Sequence, residues 1–133
     1  MVAIHNNAPA LTLRAGTDAI AHLREYGLRA GDVDIVPGAA GGPKALGING
    51  LDQAVFGDFL PRAPRRRTLI GASIGSWRFA AIAMGQDPAK GLARLAELYI
   101  CQRFPKGITS REVSHRCAAM LSDLLQDRDQ HIL

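Results

Sequence analysis

One serine stands where nucleophilic chemistry needs it. The stretch Gly71-Ala72-Ser73-Ile74-Gly75 follows the apolar run Thr68-Leu69-Ile70 and leads into a helical pattern from about Ser76. This is the Gly-x-Ser-x-Gly pattern of a nucleophile elbow. A serine at a tight strand-to-helix turn has its hydroxyl pushed out at the end of the sheet. Gly71 and Gly75, two residues before and after it, leave room for neighbouring backbone. The helix that follows aims its first amides, Ile74 foremost, at the point where an oxyanion would develop. A plain strand–turn–helix with a serine N-cap at Ser73 or Ser76 has the same outline. What decides between them is the company the serine keeps.

A second stretch supplies that company. Asp34-Ile35-Val36 reads as a short strand and runs into Pro37-Gly38-Ala39-Ala40-Gly41-Gly42-Pro43-Lys44, with a helix expected over residues 45–56 and Leu46, Leu51, Val55 and Phe56 as its core candidates. Glycines let backbone amides crowd round a bound group, and a helix start adds partial positive charge, so the loop reads as an anion cradle. It is not a Walker A loop, because Ala45 follows Lys44, and it does not fit Gly-x-Gly-x-x-Gly. The bland alternative is a flexible strand-to-helix turn.

The elements that would position these loops alternate between strand and helix. A short edge strand is expected at Leu11-Thr12-Leu13, and a helix over 18–26 with Ile20 and Leu23 inward. His22 on that helix reads as a surface or satisfied histidine. The connection from Phe59 to Arg67 holds Pro61 and Pro64 and is expected to be non-helical. Its arginines should be solvated and remote from Ser73, since they lie where the strand begins. Asp87 and Pro88 read as cap and first turn of a helix with Leu92, Leu95, Ala96, Tyr99 and Ile100 at helical spacing. Thr109-Ser110-Arg111-Glu112 is a capping box opening a helix to about Leu125. His131-Ile132-Leu133 resembles the start of a strand.

The totals narrow the class. The 133 residues suffice for one small domain. Hydrophobic content of 47% is ordinary for a globular chain, and 14 glycines with 5% aromatics favour α/β turns over an aromatic-rich sandwich. The net charge of +4 comes without interleaved aromatics, which argues against a nucleic-acid platform. Cys101 and Cys117 form no disulfide framework or metal-site spacing, and the expected setting is a reducing cytoplasm. No ligand set for a metal or cofactor is visible, and no run reaches the length of a membrane span.

The pairing of the two loops, in this order, resembles the patatin-like phospholipase family, and the run Gly71 to Ala81 is similar to a bacterial branch of it. The family's Gly-Gly-Gly-x-Lys/Arg-Gly is matched by Ala40-Gly41-Gly42-Pro43-Lys44-Ala45, and its Gly-x-Ser-x-Gly by residues 71–75. The resemblance covers about Asp34 to Arg103. It implies an α/β fold, part of a three-layer α/β/α sandwich on a mostly parallel sheet. It implies Ser73 as nucleophile and Gly41, Gly42 and Lys44 in an oxyanion loop over residues 38–47; the amide of Ile74 completes the donors at the elbow. The implied substrate is a lipid or other acyl ester, with peripheral membrane contact among the implied partners.

Three departures stand out. Ala40 and Ala45 replace the outer glycines, and Pro43 removes one amide. The largest concerns the acid: the family pairs its serine with an aspartate in Asp-Gly-Gly or Asp-Gly-Ala, and the chain contains no Asp-Gly. Asp87 has its cap role, and Asp123, Asp127 and Asp129 belong to a polar helix end. A serine without a base is a weak nucleophile. The expectation is therefore an incomplete patatin-like domain over residues 1–133, inactive alone. Two alternatives stay open: a Ser–His hydrolase or acyltransferase using His115 or His131, and a catalytically silent interaction module.

Overall fold

The computed structural model describes residues 11–84 and 87–126. Helix and strand alternate through α1 (Thr17–Tyr26), β1 (Ile35–Gly38), α2 (Asn49–Ala54), β2 (Thr68–Gly71) and α3 (Ile74–Ala83), and two further helices follow, α4 (Pro88–Cys101) and α5 (Ser110–Leu125). The strands pair in parallel, with Val36 opposite Leu69 and Gly38 opposite Gly71. The fold is mixed α/β with a small parallel sheet, as the alternation of strand and helix patterns implied.

Period-two alternation gives the sheet two faces. Val36 and Leu69 pack against Phe56, Leu60, Phe79, Ile82 and Leu92, which form the first core cluster. Ile35 and Ile70 point the other way and are 58% and 56% exposed. A second cluster, Ala81, Leu95 and Leu124, lies where α3, α4 and α5 meet, with Trp77, Met84, Leu98 and Leu121 around it.

The α3–α4 crossing is set by a small residue. A Cβ added to Gly91 would run into the backbone carbonyl of Ala81, so the helices touch backbone to side-chain-free backbone. At α4's start, Asp87 accepts from the amides of Ala89 (3.1 Å) and Lys90 (3.3 Å), the expected cap. At α5's start, Thr109 and Glu112 form the reciprocal capping box.

Several expectations are corrected. Leu11-Thr12-Leu13 is exposed and non-strand. The helix expected over 45–56 starts earlier and goes further. It opens as a 3₁₀ helix at Gly42–Ile48, becomes α2, loosens into a π turn at Val55–Phe59 and ends as a 3₁₀ turn at Leu60–Arg62. Pro61 does not forbid that last turn, because it sits in its first positions, where an amide donor is not needed. Leu51 and Ile100, expected inward, are 41% and 58% exposed. The drift of the 3₁₀ and π segments turns Asp52 rather than Leu51 to the inside. Ile20 and Leu23 are only half-buried, and α1 buries no residue fully. Its His22 faces Asp32 at 3.2 Å. The expected strand at His131–Leu133 lies outside the described residues.

The arginines before β2 are largely engaged rather than free. Arg67 donates to the carbonyls of Ala30, Val33 and Ala63 at 2.8–2.9 Å. Arg65 donates to the Gly31 carbonyl at 2.7 Å and pairs with Asp34 at 2.6 Å. They fasten the chain entering β1 to the chain entering β2.

Two outcomes follow from these contacts. Gly91→Ala should lower unfolding stability by about 2 kcal/mol or more, measured by urea denaturation, because backbone has to move to admit the methyl group. Hydrogen bonds from Thr109, side chain first and then backbone, hold the Glu112 carboxyl below the usual glutamate range. A depressed carboxylate adds stability that is complete above its unfolded value, about 4.3, and is lost as pH falls through the lower folded value. Glu112→Gln should therefore flatten the acid limb of a stability-versus-pH curve and leave the limb above neutrality unchanged.

Candidate active site: a serine elbow beside a glycine loop

The backbone at Ser73 is the most constrained point of the described chain. Its φ of 52° and ψ of −124° belong to the first central residue of a type II′ turn, where glycine is normally required. The Ala72 carbonyl accepts from the Gly75 amide at 3.0 Å and closes that turn. Only Ser73 and Gln126 among the described non-glycine residues have positive φ, and Gln126 sits in the ordinary left-handed position that ends α5. Strain of this kind costs about 1–3 kcal/mol and persists where surrounding structure over-determines it.

The surroundings do over-determine it. The Ala72 amide donates to the Gly38 carbonyl at 2.9 Å, which ties the elbow to the end of β1. A Cβ on Gly75 would collide with the carbonyls of Gly38 and Ala39. A Cβ on Gly71 would collide with the backbone of Gly75 and Ser76. Both flanking glycines are thus demanded by close backbone approach, and Gly38 is pressed in turn by the Phe79 ring. The helix begins at Ile74, two residues earlier than the sequence pattern indicated, so the turn and the helix start are fused.

Ser73 itself is exposed, and among the described residues its hydroxyl has no hydrogen-bond partner. The buried residue beside it is Ile74. The amides of Gly41, Gly42 and Ile74 have no acceptor among the described residues, which leaves them available to an incoming oxygen. Lys44 drops out of that set. Its amide donates back to the Gly41 carbonyl at 3.3 Å, closing the loop's own turn, and its side chain is exposed.

The loop departs from the motif less than its letters suggest. Gly42 has φ +53° and needs glycine, whereas Gly41, near 180°, is extended. Ala40 and Ala45 are not in the left-handed region, so alanine costs nothing there. Pro43 takes the start of the 3₁₀ segment, where its missing amide has no structural use.

Three residues near the loops carry no site expectation in the sequence. Asp52 and Arg78 are buried and paired, and Tyr99 brings its hydroxyl close to Gly42. All three line one pocket with Gly42, Asn49 and Ile74. The signal for Arg78 was present: one charge in the apolar run Trp77 to Met84. Asp52 carried none, because an acid beside Gln53 looks like ordinary helix surface.

Among the described residues no carboxylate or imidazole is placed at the serine as a general base. Asp87 is committed to its cap. Asp123 and His115 are exposed on α5, and no hydrogen bond or ring contact ties either to the elbow. Asp127, Asp129 and His131 lie outside the described residues. Among the described residues no three His, Cys, Asp or Glu side chains gather as metal ligands, and no helix is long and apolar enough to cross a membrane. Comparison with known proteins finds no matching family model, no matching curated protein and no matching solved structure.

The strain at the turn can be measured. Ser73→Gly should raise unfolding stability by about 1 kcal/mol, the relief at φ 52° exceeding the entropy cost of glycine. Ser73→Ala keeps a Cβ in the same conformation and should show no such gain in parallel urea titrations.

Proposed function

We propose that this chain carries the nucleophile and oxyanion half of a patatin-like serine hydrolase acting on acyl esters of lipid type. The observation that carries the reading is the Ser73 backbone. A non-glycine residue is held at φ 52°, ψ −124° between a parallel strand and a helix, beside a glycine loop on the adjacent strand. An ordinary serine cap has extended backbone and accepts a bond from the helix amides. Ser73 has neither property.

In this reading the Ser73 hydroxyl oxygen attacks the ester carbonyl carbon. The carbonyl oxygen becomes the oxyanion and accepts from the amides of Gly41, Gly42 and Ile74. Collapse of the tetrahedral intermediate expels the alcohol and leaves an acyl-serine, which water then cleaves. The attack needs a group to take the serine proton, and no described carboxylate or imidazole is placed for it. The proposed larger architecture is the three-layer α/β/α sandwich of that family, and the proposed setting is the cytoplasm, which the unpaired Cys101 and Cys117 suit. A second reading, a catalytically silent interaction module, draws on the bare sheet face at Ile35 and Ile70.

A fluorophosphonate probe separates the two. Slow covalent labelling of wild type that is absent in Ser73→Ala is the expected result, with turnover of a p-nitrophenyl ester close to background. Labelling that survives in Ser73→Ala, or no labelling of wild type at any probe concentration, would sink the nucleophile reading and favour the interaction module.

A further inference from the structure

Next to the elbow, two charges are held out of water. The side chains of Asp52 on α2 and Arg78 on α3 are 7% and 10% exposed. Arg78 Nε donates to one Asp52 carboxylate oxygen at 2.6 Å, and an Nη donates to the other. A guanidinium fork on a carboxylate fixes a plane as well as a distance. Such a pair is a poor source of stability, because an apolar pair of similar volume often does as well or better. What it supplies is registration of the two elements it joins.

Those elements are the two halves of the candidate site. Arg78 lies one helical turn beyond Ile74, on the same face of α3. Asp52 lies in the first turn of α2, which continues the helical arm opened by Gly42. Among the described residues, no other side-chain hydrogen bond joins Gly42–Ala54 to Ile74–Ala83. The arm packs mainly on α4 and on its own π turn. Its loop end is largely exposed and rich in glycine, and no side chain of residues 40–44 forms a hydrogen bond or ion pair with the elbow.

We propose that Asp52 and Arg78 are a positioning pair: their fork sets the gap between the loop amides of Gly41 and Gly42 and the amide of Ile74, and hence the width of the oxyanion hole. This rests on the nucleophile reading of Ser73. The geometric need is strict, since donors must lie about 2.7–3.1 Å from the oxyanion. The pair touches no substrate and acts only through the backbone it holds.

The test uses three variants of the full chain. Arg78→Lys keeps the charge and loses the fork. Asp52→Leu with Arg78→Met removes both charges and keeps the volume. Asp52→Glu with Arg78→Lys restores an ion pair of similar reach. The first two should fold, by circular dichroism, and label with a fluorophosphonate with a maximal rate constant lowered about tenfold or more. The probe concentration giving half the maximal rate should stay unchanged. The third should recover part of the rate. Amide hydrogen exchange should speed up over residues 41–48 in the first two variants and stay unchanged over 110–125. Wild-type labelling and exchange in the apolar pair would overturn the proposal, and so would failure of both of the first two variants to fold. If wild type itself is not labelled, the nucleophile reading falls, and exchange alone decides the pair: acceleration over 41–48 upholds the registration, and no change removes it.

Discussion

The structure depends on one backbone crossing. Gly75, in the first turn of α3, lies directly against the carbonyls of Gly38 and Ala39, and Gly71 lies against Gly75 and Ser76. Nothing larger than hydrogen fits on either α-carbon. That contact lets a helix start immediately after a strand while passing over the end of the neighbouring strand. It places Ser73 in a conformation that a serine does not choose, and it brings the glycine loop of β1 alongside the elbow of β2. The strain at Ser73 and the proximity of the two loops have one cause.

A similar economy of side chains appears at the second crossing. Gly91 meets Ala81, and around this close point Leu92 and Leu95 complete the two apolar clusters. α3 is therefore fixed on three sides: by Gly38 at its start, by Gly91 near its end and by the Asp52–Arg78 pair between them. It is mostly apolar and buries Ile74, Phe79, Ala81 and Ile82. An element so enclosed gives the serine at its N-terminus a rigid mount, which is what a preorganised nucleophile requires.

The sheet is less enclosed. Parallel sheets are generally covered on both faces. Here the described residues cover the face of Val36 and Leu69 and leave Ile35 and Ile70 in the open. Among the described residues no carboxylate or imidazole stands at Ser73, and this limits its chemistry more than any feature of the glycine loop, whose alanines and proline sit where they cost nothing.

Local rules made much of this legible in the sequence. The strand before the elbow, the caps at Asp87 and Thr109 and the demand for glycine at 71 depend on neighbours a few residues away. Such patterns act through backbone dihedrals and local hydrogen bonds. The path from Gly42 to Arg62 was not legible, because 3₁₀, α and π geometries differ by one hydrogen-bond register and packing chose among them. That choice rotated Asp52 inward, towards an arginine 26 residues away. It also left Leu51 outside, where helical spacing places it within. The anchoring of Arg65 and Arg67 was not legible either, because the carbonyls of Gly31, Val33 and Ala30 that hold them lie 34–37 residues away and carbonyls leave no trace in a sequence. By itself the sequence determined where a tight serine turn and a glycine-rich loop lie along the chain, because both are written in glycine spacing. The tertiary structure alone decided that they meet, that Lys44 turns its amide away and that a buried ion pair spans them. These are contacts between distant segments, set by shape and burial.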